Sequence, residues 1–339
     1  MLKPILGVCV MLGVMSVVSA DEPKLKRFSF SQVHMGTEFK MVFYAKNEKL
    51  ARTASDAAFA RIAELDQVMS DYKKDSELMK LCAKAGGPPV KVSKDLFDVL
   101  SRSQKLAKKT DGAFDVTLGP VIRLWRISRK KRQLPNPERL KSAMAKSGHD
   151  KMRLDSIMRT VQLLIRGMLL DLGGIAKGYA AEAALAVLRR FGITHALVAA
   201  GGDVACADVP PGKKGWKVGI GPLRNPTAAP KYHLLLKNAA TSTSGDVEQF
   251  TIIDGKRYSH IIDPKTGIGL PGRSSVTVIA PSSTTTDSVA TAVSILDTKA
   301  GLKLVDSIPN AAVYIVREEN GKLVETTSKR FSRYTWKEE

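Results

Sequence analysis

The 339-residue chain is 44% hydrophobic and 6% aromatic, enough apolar material for a full core, and 53 basic against 33 acidic residues leave it at a formal +20. This composition excludes a disordered chain, a collagen-like chain and a disulfide-rich miniprotein. Three cysteines without metal-type spacing exclude a zinc site, and the positive charge by itself would suit nucleic acid or an anionic surface.

In chain order, Lys3 precedes an apolar run over 5–18, then Val18-Ser19-Ala20 and the polar Asp21-Glu22-Pro23. This reads as a secretory signal over 1–20 cleaved after Ala20, leaving a mature domain over 21–339. The alternative is a retained anchor, for which the run is short against a span of about 20 residues. Cys9 lacks the Leu-small-small context of a lipoprotein cysteine. Export argues against nucleic acid as the partner, and it leaves Cys82 and Cys206 in an oxidising compartment. Two lone cysteines are more often small buried hydrophobes than a bridge, so they are expected to be unpaired.

Residues 28–44 read as extended chain. Residues 48–69 read as a helix with Ala58, Ile62, Leu65 and Met69 at helical spacing, and 93–108 as a second helix capped by Ser93. The basic run RLWRISRKKR over 123–132 reads mainly as a solvated face, whose charge suits a membrane surface or a phosphate-bearing small molecule. Asn136-Pro137-Glu138 opens a third helix, with Asn at the cap and Pro in the first turn.

Beyond 152 strands dominate: 153–157, 161–165, 168–172, 196–199, 216–220 and 232–236, with a helix over 180–188. Residues 210–215 and 223–230 read as loops. Asp254-Gly255 and Asn320-Gly321 are hairpin turns by composition, because both central positions of such a turn want positive φ. Strands outnumber helices and alternate with them irregularly, which predicts α+β over a doubly wound sheet.

Four stretches carry polar chemistry. MLLDLGGIAKGY over 168–179 reads as strand, glycine turn and helix. It matches neither GxxxxGK[ST] nor GxGxxG, and alone it is either simple packing or a place where backbone approaches an anion at a helix start. In TTTDSVATAVSIL, Asp287 and Thr291 share a helix face as two oxygen donors for a hard cation such as Mg²⁺. The bland reading there is a helix-terminal acid with a back-bonded threonine. Asp287 is expected to be accessible at the surface. STSG over 242–245 offers hydroxyls on a turn, and YSHIIDPKTG sets His260 three residues before Asp263, a base with an orienting acid or a structural histidine.

Taken together with Met35-Gly36-Thr37, MSDYKKDS over 69–76, DGAFDVT over 111–117 and Ala200-Gly201-Gly202-Asp203, these stretches resemble the FAD:protein FMN transferases, the ApbE-like flavin transferases, in order and across nearly the whole mature chain. The resemblance implies a single large α+β domain of mixed, mainly antiparallel sheet with flanking helices, facing the periplasm or the outer face of the cytoplasmic membrane. It implies FAD contacts at Met35, Tyr72, Ala113, Phe114, Asp115, Asp171, Lys177 and Ile262. It implies a magnesium site at Gly174 (through its carbonyl), Asp287 and Thr291, and a catalytic His260 near the transferred phosphate. Some members place a second acid where this chain has Ala290. The implied reaction is Mg²⁺-dependent transfer of FMN from FAD to a Ser or Thr hydroxyl of a client protein, a membrane-associated redox protein, with release of AMP. Two other readings remain open at this level: an FAD pyrophosphatase yielding FMN and AMP, and a non-catalytic flavin-binding protein of the cell envelope.

Overall fold

The computed structural model describes residues 24–225, 228–245 and 249–337, so the expected signal segment over 1–20 lies outside the described residues. The chain begins with the antiparallel pair β1 (Lys26–His34) and β2 (Thr37–Ala45). The expected single extended run over 28–44 is broken because Met35 and Gly36 adopt φ of 50° and 74°, a two-residue hairpin turn. Helix α1 (Glu48–Met69) occupies the predicted span, and Asn47 accepts the Leu50 N–H at its start. There follow α2 (Glu77–Ala83), β3 (Val90–Lys91) and α3 (Lys94–Lys109), the last capped by Ser93 as predicted. Next come α4 (Gly119–Lys131), α5 (Pro137–Ala145) capped by Asn136, β4 (Met152–Asp155) and β5 (Thr160–Leu163).

Residues 168–172 do not form the expected strand. They make one parallel bridge, Leu118 to Leu169, and one further bond from Asp171 N–H to the Val116 carbonyl. The neighbouring segment turns into α4 at once, so no ladder can propagate. Helix α6 (Ala176–Arg190) starts four residues earlier than predicted. The second half adds β6 (Ala196–Ala200), β7 (Asp203–Cys206), β8 (Trp216–Ile220), β9 (Tyr232–Leu236), β10 (Ala239–Gly245), β11 (Phe250–Ile253), β12 (Lys256–Ile262), β13 (Gly269–Pro271) and β14 (Ser274–Ala280). It closes with α7 (Ser283–Ile295), α8 (Thr298–Asp306), β15 (Ala312–Glu319) and β16 (Lys322–Thr327).

An eight-stranded antiparallel sheet, ordered β1-β2-β6-β7-β10-β14-β15-β16, organises the fold. Its central strands bury both faces, which is why β14 and β15 read as almost continuous apolar runs instead of alternating ones, while the edge strands β1 and β16 are mostly exposed. Val313 and Ile315 of β15 face the main core with Met41, Phe43, Val276 and Val278, where α1, α6 and α7 pack. Ala312, Tyr314 and Val316 face a second core beneath the β8–β9 hairpin, with Trp216, Leu234 and Phe331. A third cluster joins α4 and α5 to β12 through Leu118, Val121, Trp125 and Ile262, and the Trp125 indole N–H donates to the Ser259 carbonyl at 3.0 Å. Cys82 and Cys206 are both buried and free, as expected of small hydrophobes. Burial pushes the Cys82 thiol up to about 11.

Candidate active site

The site grows from the start of α6. Ile175, before its first residue, offers no side-chain acceptor, so the first-turn amides need a partner from elsewhere. Gly178 supplies the opening: a Cβ there would stand 2.2 Å from the Ser283 carbonyl and 2.9 Å from the Asp287 Cβ, so only glycine lets the starts of α6 and α7 touch. Through that contact the Gly178 N–H donates to Asp287 Oδ2 at 3.0 Å, and a carboxylate on α7 caps α6.

Lys177, one residue earlier, turns its ammonium into the same place. Its Nζ lies 2.9 Å from the Gly173 carbonyl, 3.3 Å from Asp287 Oδ1 and 3.2 Å from Asp203 Oδ2. Asp203 opens β7 behind the Gly201-Gly202 turn, and among the described residues its buried Oδ2 has the Lys177 ion pair and no aligned hydrogen bond. Asp287 is 3% exposed, so the expected surface ligand is instead buried: α6, α7 and β10 close around it. Thr291, one turn further along α7, donates to the Asp287 backbone carbonyl at 3.3 Å. Gly174 sits directly against it, since a Cβ on Gly174 would stand 2.9 Å from Thr291 Oγ1 and 3.3 Å from the Phe114 ring. Gly174, Asp287 and Thr291 therefore converge, and the back-bonded threonine is also present.

The electrostatics follow from the burial. Burial and the nearby Asp203 carboxylate raise the Asp287 pKa, against the pull of Lys177 and the Gly178 N–H. Burial alone would lower Lys177, but Asp287 and Asp203 outweigh it and hold the ammonium charged. Two buried acids thus share one amine, and ionised they leave the cluster one positive charge short. A divalent cation that prefers oxygen fits this deficit, with the Asp287 carboxylate, the Thr291 hydroxyl and the Gly174 carbonyl as the groups that would hold it. Among the described residues no group of three or more His, Cys, Asp or Glu is arranged to hold a metal; a carboxylate, a hydroxyl and a carbonyl are oxygen donors of the kind that suits a hard cation.

A second cluster borders the turn. Arg126 of α4 donates to Asp71 and, at 2.7 Å, to Asp171 Oδ2, while Asp171 Oδ1 accepts the Gly173 N–H at 2.8 Å. The Arg126 guanidinium lies 4.5 Å from the centre of the Tyr72 ring, which is nonetheless 76% exposed and presents an open aromatic face. Arg126 is thus the exception in a run, 123–132, whose Arg123, Lys130, Lys131 and Arg132 are exposed as a mainly solvated face requires. The helical period turns Trp125 and Arg126 inward while Arg129, Lys130 and Lys131 gather in the last turn.

The remaining predicted residues lie on the flanking elements. Met35 stands at the tip of the β1–β2 hairpin, whose Thr37 hydroxyl lies 3.2 Å from where a Cβ on Gly201 would be. Ala113 and Phe114 are buried in the turn after α3. Asp115 accepts from the Thr117 N–H at 2.8 Å and the Thr117 hydroxyl at 2.7 Å, and burial raises its pKa. Ile262 is buried in the α4–β12 cluster, and His260 of β12 places Nδ1 3.2 Å from the Gln249 carbonyl. Asp171, Gly174, Lys177, Phe114, Asp287 and Thr291 are thus directly linked, and Tyr72 joins them through Arg126. The described contacts leave Met35, Asp115, His260 and Ile262 on the surrounding wall. Sequence reasoning missed Arg126, Asp71 and Asp203 as site residues, although Asp71 and Asp203 stood inside stretches already singled out.

The ApbE family model matches residues 35–315. The FAD:protein FMN transferase of Treponema pallidum is 31% identical over 319 residues, covering 89% of this chain and 87% of that protein. That of Haemophilus influenzae is 31% identical over 339 residues, covering 97% of each. Among solved structures, the flavin transferase ApbE of Vibrio cholerae superposes with a TM-score of 0.83 at 26% identity, over 92% of this chain and all of the other. The ApbE protein of Thermotoga maritima gives 0.82 at 29%, again over 92% of this chain. Fold and relatives define the class, a transferase of the flavin-transferase fold. Within it, the chain belongs to the ApbE family.

Proposed function

We propose that this chain transfers the FMN moiety of FAD to a Ser or Thr hydroxyl of a client protein through a phosphoester bond, in a Mg²⁺-dependent reaction that releases AMP. The observation that carries this reading is the convergence of Gly174, Asp287 and Thr291 beside a charged Lys177 at the start of α6, in a chain related throughout to proteins named FAD:protein FMN transferase.

The reaction needs little covalent help from the protein. The client oxygen attacks the FMN-side phosphorus, the bond to the AMP-side bridging oxygen breaks, and AMP leaves in line. Bound Mg²⁺ would supply charge stabilisation at the phosphate oxygens. The chain's own groups do the rest. Lys177 presents positive charge to the pyrophosphate beside the cation. Tyr72 offers its open face to a flat ring, and Arg126 holds both that ring and Asp171 in place. His260 takes the proton of the attacking hydroxyl, oriented from β12. The client is a membrane-associated redox protein, as the family resemblance implies, and the leader-like residues 1–20 support a meeting outside the cytoplasm.

The test is AMP release by the purified protein from FAD with a threonine-containing acceptor peptide. Release is expected to require Mg²⁺ and to fall by roughly 10²-fold or more in Asp287→Asn, with the folded fraction checked by thermal melting. Undiminished release in that variant, or in the presence of a chelator, would contradict the assignment.

A further inference from the structure

A single ammonium separates two carboxylates that burial would otherwise leave facing each other. Lys177 Nζ is 3.2 Å from Asp203 Oδ2 and 3.3 Å from Asp287 Oδ1, and both acids are 3% exposed. The two come from different elements. Asp287 lies on α7 with Thr291 and meets Gly178, whereas Asp203 opens β7 and lies across the ladder from Ser242, which is itself bonded to Thr286 of α7. Asp203 is not one of the donors read at Gly174, Asp287 and Thr291, and its Oδ2 has no partner besides the lysine among the described residues.

A cation on Asp287 and an ammonium on the same carboxylate repel each other. Lys177 must slacken its hold on Asp287 for the cation to enter, and a buried second anion 3.2 Å away keeps the ammonium beside the site, where its 27% exposed side chain would otherwise swing to water. We propose that Lys177 is a built-in counter-ion that pairs with Asp287 until a divalent cation binds there, and that Asp203 is the positioning residue that retains its ammonium beside the site afterwards. This rests on the reading of Asp287 as a metal ligand.

The device predicts effects of opposite sign. Lys177→Met removes the competing charge and keeps the length of the side chain, so metal should bind more tightly. Asp203→Asn keeps the shape but leaves Asp287 as the lysine's only carboxylate, so metal should bind more weakly. In the double variant the Asp203→Asn penalty should shrink, because no lysine remains to be held.

The experiment is titration of the full chain with Mn²⁺, followed by its paramagnetic resonance signal, alongside melting of each metal-free variant. The expected result is a dissociation constant at least about threefold lower in Lys177→Met and about tenfold higher in Asp203→Asn, with a smaller Asp203→Asn effect in the double variant. Wild-type binding with both single variants unchanged, or shifted in the same direction, would overturn the counter-ion device and leave the metal site standing. A purely structural Asp203 would give this second pattern, with a lower melting temperature. A wild-type chain that takes up no Mn²⁺ would overturn the metal reading and the device with it.

Discussion

Lys177 shows how much one residue does at this site. Its stem lies along the first turn of α6, and its ammonium satisfies the Gly173 carbonyl and two acids at once. His260 has a different character, half-buried on β12 beside the Gln249 carbonyl. If it is the base for the acceptor hydroxyl, His260→Asn should lower kcat by roughly 10²- to 10⁴-fold with little change in FAD affinity, since the lost interaction belongs to the transition state. Measured turnover and FAD binding separate the alternatives. Loss of melting temperature and FAD affinity together, with kcat per folded molecule retained, would make it a structural strand residue.

At the scale of elements, the site depends on how closely α6 and α7 approach. Gly178→Ala would drive a Cβ into the Ser283 carbonyl, and overpacking of this kind costs about 1–3 kcal/mol. It should also withdraw the amide that caps Asp287, so a lower melting temperature accompanied by weaker Mn²⁺ binding is expected. A melting temperature equal to wild type would contradict the close contact. A second joint ties α1, α3 and α6 through Asp95, which accepts from Arg61 at 2.6 Å and from the Tyr179 hydroxyl at 2.8 Å. Burial pushes the Asp95 carboxyl up, but Arg61 and Tyr179 outweigh it and hold it below the ordinary carboxylate range. A depressed carboxylate stabilises the fold above its unfolded pKa of about 3.9 and loses that contribution as pH falls through the folded value. Melting curves of wild type should therefore drop more steeply below about pH 4 than those of Asp95→Asn, and the variant should be weaker by about 1 kcal/mol at neutral pH.

These elements also show what the sequence makes legible. Helices α1, α3 and α5 announce themselves through local signals, namely the apolar period of α1 and the side-chain caps at Ser93 and Asn136. Helix α7 hides its period, because the face it buries carries Thr284, Thr286, Asp287 and Ser288, which pair with Glu182, Ser242, Gly178 and their own helix carbonyls. Asp287 and Thr291 could be placed on one face by spacing alone. That Asp203 would meet them could not, since a pairing across 84 positions depends on the order β7-β10 in the sheet and leaves no local trace. Arg126 was hidden for a similar reason: in a run of basic residues nothing marks the one that turns inward beside Trp125.

For the whole molecule, the antiparallel sheet, buried on both faces at central strands such as β14 and β15, is the backing. The site residues are mounted on α6, α7 and the β6–β7 turn on one side of it, with the β1–β2 tip, α4 and β12 around them. No helix among the described residues is long and apolar enough to cross a membrane. A wall assembled from many separate segments, with an exposed Tyr72 and a buried floor of two acids and one amine that a divalent cation would turn positive, would suit a substrate that is both flat and anionic. The central claim concerns where the FMN goes, and mass spectrometry of a threonine-bearing acceptor after incubation with FAD, Mg²⁺ and the protein tests it most directly. The account predicts FMN attached to the acceptor hydroxyl with one AMP released per modification; free FMN and AMP with an unmodified acceptor would contradict it and make the protein a hydrolase.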